Sequence, residues 1–247
     1  MKALILAAGM ASRLRPLTDH TPKCLLRIGE QCLLERTIGA LQANGIDDAT
    51  IVTGYLAEQI ETFVNERFPQ LRCTFIRNEN YASTNNIYSL WLARDVMRGS
   101  DFLLLDSDIF FAPELITALI QSPSSDCLAL NRHPLGEEEI KVIADAKGKV
   151  VEISKTCRIE AAIGESIGIE KISSAYAHDL FDELDRMIVC ENLGHVFYEQ
   201  AFERLIAKGQ TFDIVDTTEI FSMEIDTVDD FLLAEKNYTL LKQKQSS

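Results

Sequence analysis

The stretch Leu6-Ala7-Ala8-Gly9-Met10-Ala11-Ser12-Arg13-Leu14-Arg15-Pro16-Leu17-Thr18, followed by Pro22-Lys23, decides how this chain reads. The apolar run at 2–6 suits a buried strand. It ends in Ala7, Ala8 and Gly9, small residues that let a bulky ligand approach the backbone closely. The loop beyond exposes main-chain N–H groups, a natural cradle for phosphate oxygens. Arg13 adds a planar, permanently charged fork and Lys23 a mobile point charge. Phosphoryl and nucleotidyl transfer depend on positioning and on neutralising spreading negative charge, which these residue types supply. A plain strand–loop–helix connection with two surface cations would use the same residues. The loop is not a P-loop, because GxxxxGK[ST] is absent.

Outward from this loop, strand and helix patterns alternate. Leu34, Ile38 and Leu41 recur at helical spacing up to Gly45, and 49–53 reads as a strand. Ile60, Phe63, Val64 and Arg67 continue a helix that Pro69 ends. A strand at 72–77, a helix at 87–97 and a nearly all-apolar strand at 102–105 follow. This alternation predicts an α/β fold with a mostly parallel, Rossmann-like sheet and helices on both faces. Further on, 140–144 and 149–153 flank Asp145-Ala146-Lys147-Gly148 as a hairpin, which gives a small antiparallel insertion. A strand at 165–172, helices at 175–187 and 196–208, a strand at 219–224 and a final helix from 228 complete the reading. With no internal repeat, linker or break in composition, residues 1–247 are expected to form one domain.

Composition narrows the function classes. Hydrophobic residues make up 47% and charged residues 25%, as in globular proteins. A net charge of −14 argues against nucleic acid as the main partner, because phosphate backbones need clustered Lys and Arg. It does not exclude a small nucleotide, which responds to local charge. No stretch approaches the ~20 apolar residues of a membrane helix, so no membrane partner is expected. The opening apolar run is too short for a signal peptide and runs at once into Arg13 and Arg15. Six cysteines without a CxxC pair indicate neither a zinc site nor a disulfide framework. Reduced thiols in the cytoplasm are the expectation.

Two carboxylate clusters stand out. Strand 102–105 ends in Asp106-Ser107-Asp108, a costly place for charge unless a cation or water lies beyond it. Mg²⁺ prefers one or two carboxylates together with phosphate oxygens and waters. A turn or helix cap at Asp106 and Asp108 is the alternative. In Met223-Glu224-Ile225-Asp226-Thr227, period-two spacing puts Glu224 and Asp226 on one strand face, while Asp226 or Thr227 also suits a helix cap. The amide- and hydroxyl-rich run 78–86 fits either a base edge or an ordinary capping loop.

The string LAAGMASRLRPLT…PK resembles LAAGxGxRLxPLTxxxPK, the signature of the nucleotidyltransferases that include sugar-1-phosphate nucleotidylyltransferases and phosphocholine cytidylyltransferases. Ala11 stands where that signature has its second glycine, which narrows the phosphate loop slightly. Residues 78–90 resemble the NxxYAxxNNxYSL run of phosphocholine cytidylyltransferases, and 78–84 the NENYAxT run of aminoethylphosphonate cytidylyltransferases. FLLLDSDIF is closer to those enzymes than to the LVLGDN form of the sugar-phosphate branch.

The resemblance implies a fold of the nucleotide-diphospho-sugar transferase type. Its nucleotide-binding part would span about 1–130 and its acceptor-binding lobe about 131–220. It implies Mg²⁺-dependent transfer of CMP from CTP to a small phosphorylated or phosphonate acceptor. Lys23, Arg13 and Asp108 would be catalytic. Leu6, Ala7, Ala8, Gly9, Tyr81, Ala82, Thr84, Asn85 and Asp106 would contact the nucleotide. Asp108 and Asp226, with Glu224, would bind the metal, and Lys155, Glu165 and Lys141 the acceptor. Tyr176, Glu191, His195 and Tyr198 are further acceptor-pocket candidates, and homodimerisation stays open. Three alternatives remain: a hexose-1-phosphate nucleotidylyltransferase, a DxD glycosyltransferase using Asp106 and Asp108, and a non-catalytic regulatory subunit.

Overall fold

A computed structural model describes residues 1–245. Strand β1 (Lys2–Ala7) leads through one-turn helices at Ser12–Leu14 and Lys23–Leu25 to a short hairpin, β2 (Arg27–Ile28) and β3 (Gln31–Cys32), and then to α1 (Leu33–Ala43). Next come β4 (Asp48–Thr53), α2 (Ala57–Arg67), β5 (Arg72–Arg77), α3 (Asn86–Leu92), α4 (Arg94–Met97), β6 (Phe102–Asp106), β7 (Ile109–Phe111), α5 (Glu114–Gln121) and β8 (Cys127–Asn131). The remainder is β9 (Lys141–Ala144), β10 (Val150–Ser154), β11 (Gly164–Ile172), α6 (Ser174–Asp185), α7 (Glu199–Ala207), β12 (Asp213–Asp216), β13 (Ser222–Glu224) and α8 (Val228–Gln245).

Among the described residues the main sheet has nine strands. Strands β5, β4, β1 and β6 lie side by side and parallel, as the alternating pattern requires. Residues of β1 and β6 alternate between two cores. Leu4, Leu6 and Leu104 face α3, α6 and α7, while Ala3, Ile5, Leu103 and Leu105 face α1, α2 and α5. Burial on both faces explains why 102–105 carries no polar residue.

Strand β11 makes the sheet mixed. It runs antiparallel to β6 along Ile169–Ile172, but pairs with β9 at Gly164 and Glu165. Its register with β8 slips between Ser166 and Glu170, the mark of a bulge. The chain therefore parts between β6 and β9, beside the C-terminal end of β6. After β1 the chain winds outward to β4 and β5, then returns to place β6 on the other side of β1. Open α/β sheets bind ligands at such a reversal.

A third cluster of buried apolar residues joins Leu14, Leu26, Ile28, Phe110, Ile225 and Ala234. It docks α8 and fixes the loop after β1 against β7 and the residue after β13.

Several boundaries differ from the sequence reading. The helix expected at 87–97 breaks at Ala93 into α3 and α4. The helix expected from 196 starts at Glu199, because the Tyr198 N–H donates to Asn86 Oδ1 at 3.0 Å instead of entering a helical ladder. The strand expected at 219–224 is confined to Ser222–Glu224, where it meets β7. Helix α5 and strands β8 and β12 carried no expectation; short apolar runs such as ELITALIQ and CLALN fit either period.

Candidate active site

The loop after β1 is held by close backbone contacts. Tyr55 N–H donates to the Ala8 carbonyl at 3.0 Å, and a Cβ on Gly54 would lie 2.7 Å from that oxygen. Ala11 takes φ 45° and ψ 52°, the left-handed region that favours glycine, which accounts for the glycine usual there in the signature. The hydroxyl of Thr18 donates to the Ala11 carbonyl at 2.9 Å and steadies that conformation. The turns that follow present Arg13 and Lys23 back toward the strand ends.

Lys23 and two carboxylates meet there. Its Nζ donates to Asp108 Oδ2 at 2.8 Å and to Asp226 Oδ1 at 2.7 Å, while Arg13 pairs with the other oxygen of Asp226. The N–H of Ile225 donates to the Asp108 carbonyl at 3.0 Å, which locks the two carboxylate motifs together. Asp108, Glu224 and Asp226 each offer an oxygen, all within 4.8 Å of one another. Burial acts against the charge on Lys23, but Asp108 and Asp226 outweigh it and hold the ammonium firmly protonated. Burial likewise opposes the charge on Asp226, and Lys23 and Arg13 outweigh it and depress its carboxyl. At Glu224, whose residue is still open to solvent, desolvation by the surrounding protein, then the charges of Asp108 and Asp226, outweigh Lys23 and push the carboxyl up to about 8.

The cap alternative resolves at Thr227. Its hydroxyl accepts from Asp230 N–H at 3.2 Å, and Asp230 Oδ2 accepts from Thr227 N–H at 2.7 Å, so these two residues start α8. The Asp226 side chain is left free for Lys23 and Arg13.

These groups border a cavity of about 730 Å³ at the C-terminal ends of β1 and β6. Leu6, Ala7, Ala8, Gly9 and Asp106 line it, and so do Tyr81, Thr84 and Asn85 from the loop before α3. Ala82, exposed in the same turn, does not line the cavity, unlike the expectation for it. Asn78, which the sequence reading left unassigned, organises the loop. It donates to Thr84 Oγ1 and Ser89 Oγ, both at 3.1 Å, and accepts from Asn80 N–H at 2.9 Å.

Asp106 sits where β11 bulges away. A Cβ on Gly168, whose φ is +72°, would lie 2.7 Å from Asp106 Oδ2. Tyr198 donates to that oxygen at 3.2 Å. Burial, then Asp108, Glu199 and Glu170, raise the Asp106 carboxyl well above the usual range.

At the other end, Lys155 lies over the Phe197 ring at 4.9 Å and 3.4 Å from Glu138 Oε2. Glu165 meets His133 Nε2 at 2.7 Å, and both line the cavity. Lys141 does not reach the cavity. It is 1% exposed and its ammonium is taken up by main-chain carbonyls, so direct acceptor contact by Lys141 is corrected. Tyr176 packs in the core against Phe202 and Phe212, and Glu191 is engaged by Arg186 and Arg204. Neither Tyr176, Glu191 nor His195 borders the cavity, and Tyr198 acts through Asp106.

The model of the MobA-like NTP transferase domain matches residues 3–187, three quarters of the chain and the part that supplies Lys23 and Asp108. The chain belongs to that family. Among curated relatives it is 25% identical over 99% of its length to the CMP-5'-(3-aminopropyl)phosphonate synthase of Streptomyces rubellomurinus, covering 40% of that protein. It is 41% identical over 44% of its length to the choline-phosphate cytidylyltransferase of Streptococcus pneumoniae, covering 46% of it. These matches thus span less than half the length of either relative. The solved CTP:phosphocholine cytidylyltransferase from Streptococcus pneumoniae superposes with a TM-score of 0.81 at 25% identity, over 96% of this chain and 98% of that one. The MobA-like fold of this chain is therefore of the nucleotide-sugar transferase type.

Proposed function

We propose that this chain is a cytoplasmic cytidylyltransferase that transfers CMP from CTP to a small phosphorylated or phosphonate acceptor and releases pyrophosphate. The observation that carries this reading is Lys23 Nζ bridging Asp108 and Asp226 at the mouth of the small-residue loop. The named activities of the relatives support CTP and an acceptor of the phosphocholine or aminoalkylphosphonate kind.

The acceptor oxygen is already anionic and needs no general base. It attacks the α-phosphorus, a new P–O bond forms, and the bond to the bridging oxygen of pyrophosphate breaks. The main-chain N–H groups after β1 receive triphosphate oxygens, and Arg13 and Lys23 offset the charge that develops. Tyr81, Thr84 and Asn85 face the base, and Lys155 holds the acceptor phosphate.

Three carboxylates within reach of one another form an oxygen-only donor set, and the buried Asp108 Oδ1 has no hydrogen-bond partner. Both features suit a hard cation such as Mg²⁺. Asp108 and Asp226, with Glu224, would hold it, and when bound it neutralises phosphate charge.

The test is pyrophosphate release with each of four NTPs against phosphocholine, 3-aminopropylphosphonate and glucose 1-phosphate, with and without EDTA. CTP with one of the first two acceptors should give the highest rate, lost in chelator and restored by Mg²⁺. Preference for UTP or dTTP with glucose 1-phosphate would replace the CTP assignment. No pyrophosphate from any pair, in a folded protein, would remove the enzymatic reading.

A further inference from the structure

Lys141 is the first residue of β9 and lies within the core, 1% exposed. Its Nζ donates to the main-chain carbonyls of Glu137 at 3.2 Å, Glu139 at 3.1 Å and Lys155 at 2.7 Å. An ammonium has three donors, and here all three are spent on backbone. Burying that charge is costly, and the three carbonyls offset the cost; an apolar side chain of similar length would leave them without this donor.

The three carbonyls belong to two segments. Glu137 and Glu139 are in the loop that enters β9, and Lys155 follows Ser154, the β10 residue paired with Lys141. The side chains of Glu138, Glu139 and Lys155 line the acceptor end of the cavity. One buried charge thus holds together two stretches of backbone whose residues line the cavity. Lys155 is a flexible chain whose head lies 3.4 Å from the exposed Glu138 carboxylate and over the Phe197 ring. Its aim depends on where its backbone is fixed.

We propose that Lys141 is a positioning residue of the acceptor subsite: by clamping the 137–139 loop to the Lys155 turn, it fixes where Lys155 presents its ammonium to the acceptor phosphate. This rests on the reading of Lys155 as the acceptor-binding lysine. A positioning error of this kind weakens acceptor binding while leaving the nucleotide end untouched.

Steady-state rates with CTP and either phosphocholine or 3-aminopropylphosphonate test it, using wild type, Lys155→Ala, Lys141→Met and the double variant. Lys155→Ala should raise the acceptor KM by about tenfold or more, as expected for loss of a charge-assisted hydrogen bond. Lys141→Met should raise the acceptor KM by about tenfold and leave the KM for CTP within about twofold, and it should add nothing in the Lys155→Ala background. If Lys155→Ala leaves the acceptor KM unchanged, the assignment of Lys155 fails and this proposal fails with it. If Lys155→Ala acts as expected but Lys141→Met raises both KM values alike, or adds fully to Lys155→Ala, only the proposal is overturned. Lys141→Gln, which keeps donors for part of the carbonyl set, should lie between wild type and Lys141→Met. Failure of both Lys141 variants to fold would make the residue a general structural requirement and overturn the proposal.

Discussion

Ile225 donates its main-chain N–H to the carbonyl of Asp108 at 3.0 Å, and this bond extends the β7–β13 pairing that sets the spacing of the two acidic motifs. Because Ile225 is fully buried in the cluster beneath α8, its neighbours Glu224 and Asp226 are turned toward Asp108. Lys23 enters from the β1 loop and bridges Asp108 and Asp226. The site is therefore organised by backbone first and charge second.

That order makes Lys23 the most informative single substitution. Lys23→Met should lower turnover by at least about 10²-fold, the usual effect of removing one preorganised donor from developing charge. It should also lower the melting temperature at neutral pH, since Asp108 and Asp226 lose the cation between them. Near-normal pyrophosphate release from the folded variant would exclude Lys23 from the mechanism.

Two backbone positions should respond with opposite signs. Ala11→Gly relieves a left-handed φ of 45°, worth up to about 1 kcal/mol before the extra freedom of glycine in the unfolded chain is subtracted. Its melting temperature should rise slightly. Gly168→Ala adds a Cβ 2.7 Å from Asp106 Oδ2 at a φ of +72°, so it combines a clash with backbone strain. It should destabilise the chain by more than about 1 kcal/mol. Thermal denaturation of both variants checks the pair, and the reverse ordering would contradict the assigned geometry.

The His133–Glu165 pair gives a pH signature. Burial opposes the charge on His133, but the hydrogen bond to Glu165, that to the Pro134 carbonyl and the charge of Glu165 outweigh it and raise the imidazole above its ordinary 6.5. The folded state therefore holds this proton more tightly than the unfolded state. The resulting stability is fully present below pH 6.5 and is lost as pH rises through the raised folded value. The melting temperature of wild type should exceed that of His133→Gln most at pH 6, and the gap should close on the alkaline side. A gap that is constant with pH would show that the pair contributes no linked proton.

The parallel strands and their order of appearance were legible in the sequence because a strand buried on both faces reads as an unbroken apolar run, as at 102–105. The small-residue loop and the acidic motifs were legible for a similar reason: each is contiguous, so local spacing alone displays its chemistry. Local spacing did not reveal that Lys141 is buried and that neither it nor Ala82 lines the cavity. A lysine whose donors are met by three carbonyls and one that faces a ligand look the same in sequence. An alanine in a loop carries no period to assign its side. The roles of Asn78, Tyr198 and Gly168 were equally hidden, since each acts through a partner on another element: Ser89 of α3 for Asn78, and Asp106 of β6 for the other two. The sequence by itself determined the α/β layering, the nucleotide-loop chemistry and the residue types available for catalysis. Only the tertiary structure decided that Lys23, Asp108 and Asp226, separated by 85 and 203 residues from the lysine, share one point. The physical reason is that periodicity encodes which face of an element is buried, whereas the meeting of distant loops is set by sheet order and by backbone bonds such as that from Ile225 to Asp108.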